Sequence, residues 1–173
     1  MAGEALRGHG GPLCVGSLRV HGLPGPGLLC YHKQKFRRGE ATALRSGAVA
    51  DALILYVEDN ADNRMLIRRL LTAAGYRLLE AENAAQMWEL LAQHTPDLIL
   101  MDLHLPQVDG FTLTRELAQH PQYGHIPVVA LTADVLKDTP ERCRQAGCIG
   151  YITKPINVDT FLEQIEHFLN RLS

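Results

Sequence analysis

Five side chains able to do phosphoryl chemistry share one kind of setting. Glu58 and Asp59, Asp102, Thr132 and Lys154 each stand at or just after the end of a short apolar run. Taken singly, each has an ordinary explanation, since acidic residues cap helices, threonine suits strand ends and a loop lysine is solvated. Brought into one cleft, three carboxylates would repel and raise one another's pKa unless a cation sat among them. A hard, oxygen-loving ion suits such a set, and magnesium, which keeps several waters and takes few carboxylates, fits better than zinc. A carboxylate beside that ion can act as a nucleophile toward a phosphoryl group. The metal and a fixed cation, here Lys154, then stabilise charge on the transferring oxygens, and Thr132 supplies a hydroxyl donor. Ser-His-Asp chemistry is not indicated: no serine lies at a strand end, and the histidines fall in helices or loops. His104, two positions after Asp102, is read as a loop residue.

The elements that must gather these residues are legible from Asp51 onward. Short apolar runs alternate with longer segments whose apolar residues recur every three or four positions, the pattern of repeated β-α units. Strands are expected at Leu53 to Val57, Tyr76 to Glu80, Asp97 to Met101, Pro127 to Leu131 and Cys148 to Ile152. Four are almost wholly apolar, as a parallel sheet covered on both faces requires, while Arg77 and Glu80 mark the second as an edge. Helices are expected over 61–74, 83–94, 109–120, 134–146 and 158–172. Gly75 and Gly147 fall at left-handed C-terminal caps, Asn157 caps the last helix, and Ile156 and Phe161 hold staple positions. In that helix Phe161, Ile165, Phe168 and Leu172 share a core-facing stripe. The expected architecture is α/β, a three-layer doubly wound parallel sheet of five strands, with ligands outside the carboxyl ends of the strands. There, neighbouring strand ends lie about 5 Å apart.

Composition divides the chain near residue 50. Residues 1–50 hold seven Lys or Arg against two Asp or Glu, with ten of the fifteen glycines and three of the nine prolines. Residues 51–173 hold ten basic against seventeen acidic residues, within a net charge of -2. The first segment is expected to be a disordered basic extension without a function of its own, the second a single domain. An acidic domain is ill suited to gripping nucleic acid, which demands clustered Lys and Arg. Cys14, Cys30, Cys143 and Cys148 form no C-x-x-C pair and read as reduced thiols. No apolar run is long enough for a membrane span and no secretory signal is evident, so a cytoplasmic location is expected.

The motifs resemble the receiver domain of two-component response regulators. The resemblance rests on Val57-Glu58-Asp59-Asn60, Pro96-Asp97-Leu98-Ile99-Leu100-Met101-Asp102, Leu105-Pro106-Gln107-Val108-Asp109-Gly110, Leu131-Thr132-Ala133 and Lys154-Pro155-Ile156, in order and at family spacing over about residues 53–170. It implies a flavodoxin-like strand order 2-1-3-4-5 and a signalling domain, not an enzyme in its own right. It implies Asp102 as phosphoacceptor, with Glu58, Asp59, Asp102 and the backbone carbonyl of His104 around magnesium. Thr132 and Tyr151 become the switch pair, Thr132 moving toward the phosphoryl group as the Tyr151 ring turns inward. Lys154-Pro155 is expected to be cis, a minority state of X-Pro bonds.

The implied phosphodonor is a histidine kinase or histidine phosphotransferase docking on the first helix. With nineteen residues after Lys154, output is expected through a protein target on the face of the fourth helix, fifth strand and fifth helix, as a monomer or a phosphorylation-dependent dimer. The Asn60 to Asn63 segment and Ile126-Pro127-Val128-Val129-Ala130 resemble receivers of hybrid histidine kinases and small stand-alone regulators. Two other readings stay open: the detached receiver of a hybrid kinase, and a magnesium-dependent phosphohydrolase using an aspartyl nucleophile. Against the second, the dehalogenase-type phosphatases want a second aspartate where this chain has His104.

Overall fold

Leu53–Val57 is buried at every position, because helices cover both faces of the strand. The computed structural model describes residues 29–30, 51–106, 108–133 and 138–171. Its strands are β1 (Leu29–Cys30), β2 (Leu53–Val57), β3 (Arg77–Ala81), β4 (Leu98–Asp102), β5 (Val128–Thr132) and β6 (Gly150–Thr153). The helices are α1 (Ala61–Ala73), α2 (Ala84–Gln93), α3 (Gly110–Gln119), α4 (Thr139–Ala146) and α5 (Val158–Asn170). All strand pairs are parallel and the order is β1-β6-β5-β4-β2-β3. The five main strands thus follow the expected order 2-1-3-4-5, with β3 at one edge.

Alternation along β2 divides the core. Ile54 and Tyr56 face a cluster with Ile67 and Leu71 of α1 and Phe161, Ile165 and Phe168 of α5. Leu55 and Val57 face the opposite cluster, with Met87 and Leu91 of α2 and Leu113 and Leu117 of α3. The period-2 strand therefore serves two helical layers at once.

Several boundaries differ from the sequence reading. β3, β4 and β5 each begin and end one residue later than expected, because the ladder runs into the strand-end residue: the Leu103 amide still donates to the Leu131 carbonyl at 3.1 Å. β6 starts at Gly150, two residues late. α4 is described over Thr139–Ala146, with Pro140 in its first turn, and positions 134–137 of the expected helix lie outside the described residues. A proline there is tolerated in the first turn, but deeper in a helix its ring would strike the carbonyl four residues back. Gly75 and Gly147 have positive φ, 89° and 98°, and the Asn157 side chain caps α5 through the Asp159 amide. Leu172 lies outside the described residues, as does the expected extension except for β1. Leu29 and Cys30 pair with Gly150 and Tyr151 along the outer side of β6, where an edge strand offers open backbone groups.

Candidate functional site

The sheet register assembles the site. Val57 pairs with Met101, Asp102 with Leu131, and Thr132 with Thr153. The residues at or just beyond these pairs, Glu58, Asp102, Thr132 and Lys154, consequently line one edge of the sheet. It is the edge at the carboxyl ends of the strands, beside the point where the order reverses between β2 and β4. Glu58, Asp102 and Thr132 are almost fully buried, at 1%, 3% and 1% exposure. Oxygens of Glu58, Asp59 and Asp102 lie within 4.8 Å of one another. That spacing and an all-carboxylate donor set fit a hard divalent cation.

Lys154 links the buried pair. Its Nζ donates to Glu58 Oε2 at 2.6 Å and to Asp102 Oδ2 at 2.8 Å, and its amide donates to the Thr132 carbonyl at 2.7 Å. The Lys154-Pro155 bond is cis, as expected. The His104 amide donates to Asp102 Oδ1 at 3.1 Å, so the loop after β4 folds back on the carboxylate. Tyr151 is buried in a cluster with Phe111, Cys143 and Cys148. Gln107, within one of the quoted motifs, lies outside the described residues.

Burial alone would push the Glu58 carboxyl up. Hydrogen bonds from Lys154 and Asn63, the Lys154 charge and the Tyr56 hydroxyl outweigh it and hold Glu58 below the usual carboxylate range. Burial likewise pulls Lys154 down, but its hydrogen bonds to Asp102 and Glu58 and their charges raise it above an ordinary lysine. Glu58 and Lys154 thus each favour the other's charged form.

Sequence reasoning missed three residues that shape this site. Tyr56 hydrogen-bonds Glu58, Arg64 donates to the carbonyls of both Glu58 and Asp59 at 2.8 Å, and Asn63 reaches Glu58 Oε1 at 3.0 Å. Tyr56 had a signal: it is the one polar-tipped residue in the β2 run and lies two positions before Glu58, hence on the same side of the strand. Arg64 had none, since an arginine on an amphipathic helix reads as surface.

The family model of the response regulator receiver domain matches residues 54–166. This chain belongs to the receiver family. It is 44% identical over 116 residues to the polar-differentiation response regulator DivK of Brucella anthropi, covering 67% of this chain and 94% of that one. The receiver domain of the sensor histidine kinase PA1611 of Pseudomonas aeruginosa, whose structure holds a magnesium ion coordinated in the active-site cleft, is 34% identical. It covers 70% of this chain and 97% of its own, with a TM-score of 0.61. The chemotaxis response regulator CheY4 of Vibrio cholerae shares the fold at 24% identity and a TM-score of 0.63, covering 67% of this chain and 97% of its own. Receiver domains are signalling domains. No helix among the described residues is long and apolar enough to cross a membrane.

Proposed function

We propose that residues 51–173 form a phosphorelay receiver in which Asp102 takes a phosphoryl group from a phosphohistidine. The observation that carries this reading is the bridge from Lys154 to Asp102 and Glu58 inside the acidic cluster. An Asp102 carboxylate oxygen attacks phosphorus, the new P–O bond forms as the P–N bond breaks, and the electron pair leaves with the donor's imidazole. Of the four ligands expected from the sequence, Asp59, Asp102 and the carbonyl of His104 would hold magnesium directly, and Glu58, whose oxygens accept from Lys154, Tyr56 and Asn63, would add its charge. When bound, that ion neutralises charge on the phosphoryl oxygens. Lys154 is placed to pair with a phosphoryl oxygen once Asp102 is modified, and Thr132, at the end of the adjacent strand, supplies a hydroxyl. Tyr151, buried in the α4 and β6 cluster, would follow the motion of that hydroxyl as the switch.

A donor histidine kinase or histidine phosphotransferase would dock on α1. Met65 and Leu66 there are 43% and 40% exposed, and Leu66 lines a groove with Lys154, Pro155 and Ile156. The signal would leave through the face of α4, β6 and α5 to a protein target, by a shift between two conformations. The likeness to DivK supports a stand-alone cytoplasmic regulator, and the likeness to the PA1611 receiver supports a domain cut from a hybrid kinase. The chemistry at Asp102 is the same in both.

Incubation with magnesium and a small acyl phosphate tests the site. An acid-stable, base-labile adduct is expected on the wild type and none on Asp102→Asn. Equal labelling of the variant, or continuous donor hydrolysis without an adduct, would sink the proposal, the second outcome pointing to a phosphohydrolase.

A further inference from the structure

Glu58 is an unusually occupied carboxylate for a residue at a cation site. Its Oε2 accepts from the Tyr56 hydroxyl at 2.8 Å and from Lys154 Nζ at 2.6 Å. Its Oε1 accepts from Asn63 Nδ2 at 3.0 Å and, at 3.4 Å, from the Asn60 amide. A carboxylate offers about four lone-pair sites, so Glu58 has none to spare. The other two acids differ. Asp102 accepts from the His104 amide and Lys154 Nζ, and among the described residues no donor reaches the exposed Asp59 carboxylate. The oxygens of all three nonetheless lie within one ion's reach.

Tyr56 is the donor whose placement is most constrained. Its ring is fully buried in the cluster beneath α1 and α5, which fixes the direction in which its hydroxyl points at Glu58. Asn63 projects from the first turn of α1 toward the same carboxylate.

We propose that Tyr56, assisted by Asn63, is a positioning residue that sets which cation this site prefers. By filling the lone pairs of Glu58 it confines direct carboxylate ligation to Asp59 and Asp102. A small ion that keeps most of its waters is satisfied by two carboxylates, whereas a larger ion such as calcium seeks six to eight oxygens and gains from bidentate acids. A third carboxylate released from its donors is what calcium lacks here. The inference rests on the acidic cluster being a divalent-cation site. A buried phenol needs an acceptor in any case, so the hydrogen bond alone fits a purely structural role too, and the readout must be one that role would not move.

Calorimetric titration of the full chain with magnesium chloride and, separately, calcium chloride provides it. Tyr56→Phe keeps the ring and removes only the hydroxyl. Calcium affinity relative to magnesium is expected to rise at least about fivefold in this variant, as a direct ligand becomes available. Asn63→Ala, half-exposed and tolerant of truncation, should shift the ratio the same way by less, and it serves if Tyr56→Phe does not fold. In a Glu58→Gln background the Tyr56→Phe change should leave the ratio untouched, because the effect runs through Glu58. An unchanged ratio in both single variants, or an equal loss for both ions, overturns the selectivity role. A wild type that binds neither ion overturns the cation site itself.

Discussion

The Nζ of Lys154 lies 2.8 Å from Oδ2 of Asp102 and shares its protons with Glu58, so two buried carboxylates depend on one ammonium group. Removing one partner of a buried ionic cluster leaves uncompensated charge, which costs about 3 kcal/mol or more. Lys154→Ala should lower stability by that order in urea unfolding. Magnesium should then restore more stability to the variant than to the wild type, because a divalent cation replaces the missing charge. Equal stabilisation of the two proteins would show that the lysine and the metal do not act on the same carboxylates.

The same cluster fixes how stability depends on pH. A carboxyl held below its unfolded value stabilises the fold above that value, and the benefit is lost as pH falls through the folded pKa. For Glu58 the loss therefore begins below about 4.5. A lysine held above its unfolded value acts oppositely: its contribution is full below about 10.5 and fades as pH rises through the folded pKa. Between these limits the contribution of the Glu58 and Lys154 pair should be flat. Urea midpoints at about pH 6 and about pH 3.5 should fall further for wild type than for Glu58→Gln, which cannot take up the proton.

The parts of this design that the sequence displays are those that follow from the parallel sheet. A strand buried on both faces must be apolar throughout, so the polar residue that directly follows the run, Glu58 after β2, marks a site position at once, while Lys154 follows the β6 run one residue beyond Thr153. β4 ends instead on Asp102 itself, and its ladder carries on into that residue, which is why the predicted bounds fall one position short. Arg64 is illegible for another reason, because it acts through its guanidinium tip on a side chain whose bulk reads as surface, whereas Tyr56 leaves the small signal of one hydroxyl within an apolar run.

Gly110 is required by a close approach. A Cβ there would stand 2.3 Å from the Asp102 carbonyl and 2.6 Å from Leu103 Cα, both backbone atoms that cannot swing aside. The Gly110 amide also donates to the Leu103 carbonyl at 3.1 Å, tying the start of α3 to the end of β4. Gly110→Ala should cost about 1–3 kcal/mol as an overpacked contact. It should also slow acyl-phosphate labelling of Asp102, since the backbone displaced is that of the acceptor. Normal labelling with lowered stability would separate packing from placement.

Two arginines of α1 reach acidic residues on the β3 side of the sheet, and they should behave differently. Arg68 bonds Glu80 at 2.7 Å, but its side chain is 57% exposed, and an exposed pair of this kind is screened by solvent and contributes little. Arg64 is 11% exposed, and besides Glu82 it donates to the Glu58 and Asp59 carbonyls, fixing the turn that carries both acids. Hydrogen bonds from a charged donor contribute about 1.5–3 kcal/mol, and a lysine cannot reproduce a planar fork that serves two carbonyls and a carboxylate together. Arg64→Lys is therefore expected to weaken magnesium binding severalfold while Arg68→Ala leaves it unchanged, as read by calorimetric titration. If Arg64→Lys binds magnesium as wild type does, the turn holds the acids without the guanidinium, and the site's geometry comes from the sheet alone.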